Sequence, residues 1–400
     1  MANTNLTVDW IGNEALRLAH EKLSFIGTIN KEFDSSFRPG YGNTIRIRVP
    51  SQYTVTNGRV IDVQDGEQQS TSITVATQTH VAMRYNSQEY AQDLVNFQRL
   101  HLEPAMATLA SIVESRVLQG CTASTYHIVG TAGTNISTLS VPGTARGRLN
   151  QYLAPKSNRS IVLDSITMSD MIDAFAAYQN PPRDISEQYR EGFIARTAMA
   201  DYYENERVYN LTNSADVTGW LASYTIVDGD VDLTVSALSV APNVGMVFTI
   251  NGVFACHPET KQAYTHLQQF VVDTGSTSSV LAIQPAIRLT GARKNVCGST
   301  GADLVVSSVT SAAVVFAGAV SSTYPNPLMY HRDAFTFATA ALPLMDDAIR
   351  CVVKTYDGIS LRVWEASDIR NDEKLTRIDI LYGFAAIRPQ WACRMIGRGQ

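Results

Sequence analysis

The chain closes on RIDILYGFAAIRPQWACRMIG, residues 377–397, and the reading of this stretch decides the fold. Residues 378–383 read as a β-strand, but the usual alternation is blurred. Ile378, Ile380, Tyr382 and Phe384 fall on one face, and Leu381, Ala385 and Ile387 on the other. A strand apolar on both faces must be covered on both. Most chains leave their last residues frayed unless something ties them down. This strand is therefore expected to be covered on both sides.

Working outward, VDWIGNEALRLAHEKLSFIGTI (8–29) reads as helix, with Asp9 as its cap and Ala15, Leu16, Ala19, Leu23 and Ile26 at helical spacing. Such an amphipathic helix needs a surface to lie on. GNTIRIRVP (42–50) sets Ile45, Ile47 and Val49 against Thr44, Arg46 and Arg48, a half-buried strand with one basic face, ended by Pro50. QSTSITVATQTHVAMRY (69–85) then alternates throughout, with Ile73, Val75, Val81 and Met83 on one side and Thr74, Gln78, His80 and Arg84 on the other. At about 3.3 Å per residue a continuous strand of that length spans about 50 Å. A compact chain of this size has a radius of gyration of only about 21 Å. A continuous strand would project as a two-stranded arm, marginal on its own, and would lean on a neighbouring molecule.

EPAMATLASIVESRVLQG (103–120) reads as a strong helix, Pro104 in its first turn and Gly120 just past its end, with Met106, Leu109, Ala110, Val113 and Val117 as the stripe. Short elements follow to residue 211: an apolar strand at 161–164, a helix opened by Ser169 or Asp170, and EQYREGFIARTA (187–198). Near Asn213 the composition shifts. To about Tyr330 charges are sparse, Val, Thr, Ser, Ala and Gly dominate, and DGD, APNVG, INGV and DTGST punctuate short strands. An all-β sandwich or barrel inserted into an α+β domain accounts for this. The uncharged run 304–330 has its apolar residues in short clusters and ends in Pro325 and Pro327. It reads as two short strands joined by a Ser-rich turn rather than as the roughly 20 apolar residues of a membrane helix.

Composition is that of a folded chain, 45% hydrophobic, but only 17% of the 400 residues are charged and the net charge is −5. A dedicated nucleic-acid binder carries a basic surplus, and sparse charge on a large chain points to surface covered by other protein. The five cysteines are scattered without a CxxC pair, and MANTNLTVDW has neither a basic region nor an apolar run, so synthesis in a reducing cytoplasm is expected.

Reactive constellations are missing. GTAGTN (130–135) lacks the Lys-Ser/Thr of a phosphate loop. Counting from Asp228 of DGDVD, the sixth position is Leu233 and the twelfth Ser239, where a calcium loop needs Gly and Glu. Cys256, His257 and His266 miss zinc spacing, and GxSxG, HExxH and SxxK do not occur. The chain is expected to be no enzyme, with no catalytic residue, cofactor or metal. Arg46 and Arg48 are read as a face for acidic protein rather than for nucleic acid.

Five stretches in one order resemble the coat proteins of short-tailed Salmonella-type phages: SNRSIVLDSITMSDMIDAF (157–175), EQYREGFIARTAMADYYENERVYNLTN (187–213), MVFTINGVFACHPETKQAYTHLQQFVV (246–272), YHRDAFTFATAALP (330–343) and ISLRVWEASDIRNDEKLTRIDILYGFAAIRPQWACRMIG (359–397). The likeness is one of order, spacing and residue character. It implies the Hong Kong 97 capsid fold of tailed phages, α+β with an inserted all-β, barrel-like domain. On this chain it implies an N-terminal arm (1–32), an extended loop (33–92), a spine helix (97–120) within a first peripheral and axial part (93–212), the inserted domain (213–330), and a second peripheral and axial part (331–400). The terminal strand would lie in the peripheral sheet against the spine helix, flanked by 360–364.

The implied function is a major capsid protein that assembles with itself, as pentamers and hexamers, into an icosahedral shell around packaged double-stranded DNA. The implied further partners are a scaffolding protein and a portal during assembly and a decoration protein outside, with no membrane. TVDWIGNE (7–14) matches the family's scaffold-contacting arm, making Asp9 and Glu14 the candidates there, although Trp10 stands where the family tends toward polar residues. YTIVDGDVDLTV (224–235) matches a short form of a loop that reaches a neighbouring capsomer, with Asp228 and Asp230 as candidates. Nothing assigns a Lys–Asn crosslink. The competing readings are a phage tail or surface-binding component, a bacterial cargo compartment of the same fold, and a hydrolase with a dispersed site.

Overall fold

The structure, a computed structural model, describes residues 8–33, 37, 42–61, 63, 66, 68–86, 102–176, 200–221, 226–236, 238–298, 304, 311–346, 348–368 and 370–398. The chain divides into two compact units. One comprises residues 1–47, 70–118 and 335–387, and the other 48–69, 119–334 and 388–400.

The first unit is organised by the terminal stretch. Strand β20 (Glu373–Ala386) is fourteen residues long and has partners along both edges. On one edge β19 (Ile359–Asp368) pairs antiparallel with Ile378 opposite Val363, and β17 (Phe335–Thr339) continues that edge with Phe384 opposite Phe337. On the other edge β3 (Thr77–Asn86) pairs from Asn86↔Glu373 to Thr77↔Tyr382. β18 (Arg350–Tyr356) completes the sheet beside β19. The expected neighbours at 360–364 are therefore in place. Ile378, Ile380 and Tyr382 are buried on one face. On the opposite face Leu381 and Ala385 pack with Phe37, Ile73, Val75, Ala338, Ile45 and Ile47.

The alternating run 69–85 is two strands rather than one. β2 (Gln69–Thr74) pairs with β1 (Thr44–Val49) in a two-stranded sheet, and β3 joins the five-stranded sheet. The chain changes sheet at Val75–Ala76, where it passes over Gly383. A Cβ on Gly383 would lie 2.1 Å from the Thr74 carbonyl oxygen and 2.9 Å from the Val75 Cα. Only glycine admits so close an approach of two backbones. Strict alternation records facing, which both strands keep, and is silent about the sheet change. The 50 Å strand accordingly does not form.

Helix α1 (Val8–Lys22) lies on β18 and β19 and buries Ala15, Leu16 and Ala19 against them. It already runs through Asp9, which is inside the helix rather than its cap. After Leu23 the chain turns into α2 (Ser24–Thr28), and the buried Glu114 carboxylate accepts from the Phe25 amide and the Ser24 hydroxyl at that helix's first turn. Negative charge at a helix N-terminus is stabilising. Glu114 belongs to α3 (Glu103–Ala123), whose expected stripe from Met106 to Val117 is buried. Arg116 of α3 donates to Thr79 of β3 at 3.2 Å, which brings the helix to the five-stranded sheet. α3 does not stop at Gly120. Ser124 and Thr125 hydroxyls donate to the Gly120 and Cys121 carbonyls at 2.9 Å each, so the last turn is satisfied without a glycine past its end.

Among the described residues the second unit holds two large sheets with separate cores and one two-stranded sheet. In the first, β4 (Ile128–Val129), β21 (Ala392–Met395), β16 (Leu328–His331), β5 (Arg159–Leu163) and β6 (Asp201–Glu204) lie in that order. Ile161, Leu163, Met329, Cys393 and Met395 share a core with helices α4 (Ser140–Gln151) and α5 (Ser165–Ala176). α5 begins four residues before the expected Ser169, because Asp164 caps it by accepting from the Thr167 amide at 3.2 Å. EQYREGFIARTA lies outside the described residues.

Arg394 and Ile396 are tied down in this sheet. Arg394 is fully buried and donates to the carbonyls of Gly245 at 2.6 Å and Ala123, at the end of α3, at 3.1 Å. The Ile396 amide donates to the Val129 carbonyl, and only glycine fits at position 130, because a Cβ there would meet the Ile396 oxygen at 2.3 Å.

The second sheet has seven strands. Its path runs β8 (Thr218–Trp220), β14 (Ala313–Phe316), β10 (Val247–Cys256), β11 (Ala263–Val272), β12 (Val280–Gln284) and β9 (Asp232–Thr234), with β13 (Val296–Cys297) on β10. An antiparallel bridge between Leu221 and Val235, next to β8 and β9, joins the two ends of the path. Phe248, Phe270 and Phe316 meet inside, with ring centroids 5.8 and 5.4 Å from Phe248. INGV, expected to be a turn, is a bulge within β10, where the register shifts between Thr249 and Phe254. The other three signals sit between strands. β7 (Asn210–Thr212) and β15 (Thr323–Pro325) pair beside this sheet, and the run 304–330, where two strands were expected, holds β14, β15 and the start of β16. No helix among the described residues is long and apolar enough to cross a membrane.

Candidate assembly surfaces

A buried polar knot fixes the surface that the first unit presents. Arg377 and Asp379 of β20 alternate with the apolar face described above, and Arg362 and Trp364 stand opposite them on β19. Asp379 is fully buried. Its Oδ2 accepts from Arg362 Nη2 at 2.8 Å and Nε at 3.2 Å and from Trp364 Nε1 at 3.1 Å. Its Oδ1 accepts from Arg377 Nε at 2.7 Å and Gln78 Nε2 at 3.3 Å. Burial raises the Asp379 pKa and the two guanidiniums lower it, and the guanidiniums win, so the carboxyl titrates below its ordinary range. With every acceptor position used, the knot ties three strands in one register. Sequence reading missed it; its signal was a pair of i, i+2 polar residues, R-x-W in 362–364 and R-x-D in 377–379, inside otherwise apolar strands.

The connection from β1 to β2 has the opposite character. Among its described residues no strand is assigned, and its large apolar side chains face solvent: Val55 is 93% exposed, Val60 86%, Ile61 84% and Val63 81%. Tyr53 is exposed as well. A cluster of this kind on a folded chain marks a contact surface. The expected basic face of β1 is present, with Arg46 and Arg48 exposed while Ile45 and Ile47 turn inward.

The acidic candidates are placed as follows. The Asp9 side chain lies outside the described residues. Glu14 is paired with Arg17 one helical turn on, at 2.5 Å to Nη2. Asp228 accepts from the Leu289 amide at 2.6 Å and pairs with Arg288 at 3.3 Å, which anchors the 226–230 turn to the segment after β12. Burial raises the Asp228 pKa, and the hydrogen bonds from the Leu289 and Thr290 amides together with Arg288 outweigh it, leaving the carboxyl low. Asp230 accepts from the Val227 amide at 2.6 Å within the same turn. Glu14 lies on α1, Arg46 and Arg48 on β1, and Asp228 and Asp230 in the 226–230 turn.

The histidine candidate has a local role. His257 Nδ1 accepts from the Glu259 and Thr260 amides at 3.1 Å, the role of a turn-stabilising histidine. The described residues contain no group of three or more His, Cys, Asp or Glu placed to hold a metal.

Residues 46–397 match the family described as P22 coat protein, gene protein 5. Among solved structures the chain is similar to one from Mycobacterium phage Che8, at 9% identity and a TM-score of 0.51 over 93% of this chain and 90% of that one. It is also similar to the capsid of Ralstonia phage GP4, at 6% identity and a TM-score of 0.47 over 93% and 87% of the two chains. A third is the capsid of cyanophage P-SCSP1u, at 9% identity and a TM-score of 0.45 over 89% and 84%. No curated protein matches. The fold is the α+β fold of tailed-phage capsid subunits, of the Hong Kong 97 type. Its role in the phage virion is structural rather than enzymatic, and it assembles with copies of itself. The match across nearly the whole chain makes this protein a member of the P22 coat protein family, a major capsid protein of a bacteriophage.

Proposed function

We propose that this coat protein forms pentamers and hexamers that close into an icosahedral shell around packaged double-stranded DNA, with a scaffolding protein and a portal present during assembly in the host cytoplasm and a decoration protein as a further external partner. The observation that carries the reading is the exposed apolar connection at 53–63. Burying one Val or Ile side chain contributes roughly 1.5–3 kcal/mol before the losses of association are subtracted. A few such residues per copy give a contact that is weak singly and durable when repeated around a closed symmetric assembly. The net charge of −5 suits a container that does not grip the nucleic acid inside it.

On this reading residues 1–32 form the N-terminal arm, 33–92 the extended loop, 93–212 and 331–400 the peripheral and axial parts, and 213–330 the inserted domain. Support for the last comes from the separate aromatic core and closed strand path between residues 211 and 316. Asp9 and Glu14 are assigned to scaffold contact, Arg46 and Arg48 to acidic surfaces of a neighbouring copy, and Asp228 and Asp230 to the neighbouring capsomer. The test is to purify the full chain, alone and with the scaffolding protein of its own phage, and to image the particles by electron microscopy. Uniform closed shells are expected. Rings, fibres or a persistent monomer under both conditions would overturn the reading.

A further inference from the structure

Two of the five cysteines are neighbours. Cys297 of β13 stands opposite Phe254 of β10, and the Cys256 amide donates to the Asn295 carbonyl at 3.2 Å. The two side chains thus occupy diagonal positions on one face of the strand pair, and the Cys297 thiol donates to the Lys261 carbonyl at 3.6 Å. Both thiols are free and buried. Cys256 lines a cavity of about 460 Å³, and Cys297 does not. The same cavity is lined by Lys261, Arg293, Lys294 and Arg388 against the single carboxylate of Glu259, a local reversal of the chain's acidic balance. The Lys261 ammonium donates to the carbonyls of Pro258 at 2.5 Å and Lys294 at 3.4 Å. A small anion is therefore drawn into a space of ordinary ligand size that has a thiol in its wall.

We propose that Cys256 and Cys297 form a thiol–disulfide exchange site, reached through this cavity by an anionic low-molecular-weight disulfide of the glutathione type. Cys256 loses its proton and attacks one sulfur of the small disulfide. That S–S bond breaks, and one small thiol leaves with a proton. Cys297 then loses its proton, attacks the Cys256 sulfur and expels the second small thiol. Two protein thiols are oxidised, one small disulfide is reduced to two thiols, and β10 becomes cross-linked to β13.

Burial and the neighbouring Cys297 push the Cys256 thiol up to about 12, with Lys294 and Lys261 opposing. The thiolate is the attacking form, so the rate rises about tenfold per pH unit through the neutral range. The pair thus stays reduced in a reducing cell and closes slowly under oxidising conditions.

The experiment incubates the full-length protein with oxidised glutathione, quenches with an alkylating agent and maps the peptides by mass spectrometry. Loss of two of the five thiols, recovered as one peptide pair joining residues 256 and 297, is expected. Retention of all five, or modification of the half-exposed Cys351 alone, overturns the proposal. Cys297→Ser should trap a stable glutathione adduct on Cys256. Arg293→Ala, which removes a cavity cation that does not act on the Cys256 thiol, should slow exchange with oxidised glutathione and leave the rate with uncharged hydroxyethyl disulfide unchanged; an equal effect on both reagents, or on neither, overturns the cavity route. If a variant fails to fold, the wild-type peptide map decides.

Discussion

Strand β3 and the connection that precedes β2 belong to one extended region and carry similar apolar residues, yet they end in opposite states. β3 has ten residues paired along an edge of β20. Residues 53–63 have comparable apolar content and leave it exposed. Propensity does not separate them. β20 offers β3 a free edge of matching length in the same chain, with Gln78 drawn into the Asp379 knot and Arg116 bonded to Thr79. Edges and knots inside the chain decide which half of an extended region folds upon it. An apolar segment without such an edge is left for a contact elsewhere.

The most severe break in the β3 side of this comparison is Asp379→Ala. It leaves Arg362, itself buried, without its carboxylate and strands the Trp364 indole N–H. Removing one partner of a buried ion pair costs about 3–5 kcal/mol. A drop of that size in urea unfolding free energy is expected, and a loss under about 1 kcal/mol would show that the knot does not hold the sheet.

Gly383→Ala is the next. Its Cβ would have to displace the Thr74 carbonyl, a backbone atom with no rotamer to swing away. A loss of roughly 1–3 kcal/mol follows, together with faster amide exchange at Val75 and Thr77. Unchanged exchange there would mean that the sheet change does not depend on this glycine.

These residues also mark where the sequence stops being legible. The terminal strand, its neighbours at 360–364, the stripes of α1 and α3 and the strands around 304–330 follow from facing and spacing, because burial acts residue by residue on a local pattern. The break at Val75 depends on Gly383, some three hundred positions away, and no local pattern encodes it. The same holds for Arg394, which reads as a charge near a terminus and is a buried bridge between the Ala123 and Gly245 carbonyls. Asp9 as cap and Gly120 as stop failed for the converse reason: each is a real local signal, overruled because the helix found its partners elsewhere. Exposure of Val55, Val60, Ile61 and Val63 was legible as residue type and not as state, since exposure depends on what the rest of the fold covers.

A smaller effect comes from two histidines of the second unit. His127 is buried, and burial with the nearby Arg148 and His266 lowers its pKa well below the ordinary value. His266 is lowered to about 4 by burial and Arg148. Both imidazoles bind protons less readily in the folded chain than in the unfolded one. Stability is therefore full above about pH 6.5 and falls as pH drops toward 4. Allowing for the partial exposure of His266, its share is about 1 kcal/mol. His266→Gln should flatten the urea midpoint across this window, and an unchanged slope would remove His266 from the acid response.

The least effect on folding is expected where the proposed effect on assembly is greatest. Val60 and Ile61 touch little of their own chain, so Val60→Ser with Ile61→Ser should leave the unfolding free energy of the monomer within about 0.5 kcal/mol. The same double variant should abolish or strongly slow shell formation, followed by light scattering. A matched change on β3, Val81→Ser, should do the reverse, since Val81 stands opposite the buried Ile378 in a sheet the monomer forms for itself. If the Val60/Ile61 variant assembles normally, the exposed segment is not the surface that joins neighbouring copies. If it also unfolds the monomer, the segment has a partner within its own chain, and the contrast with β3 disappears.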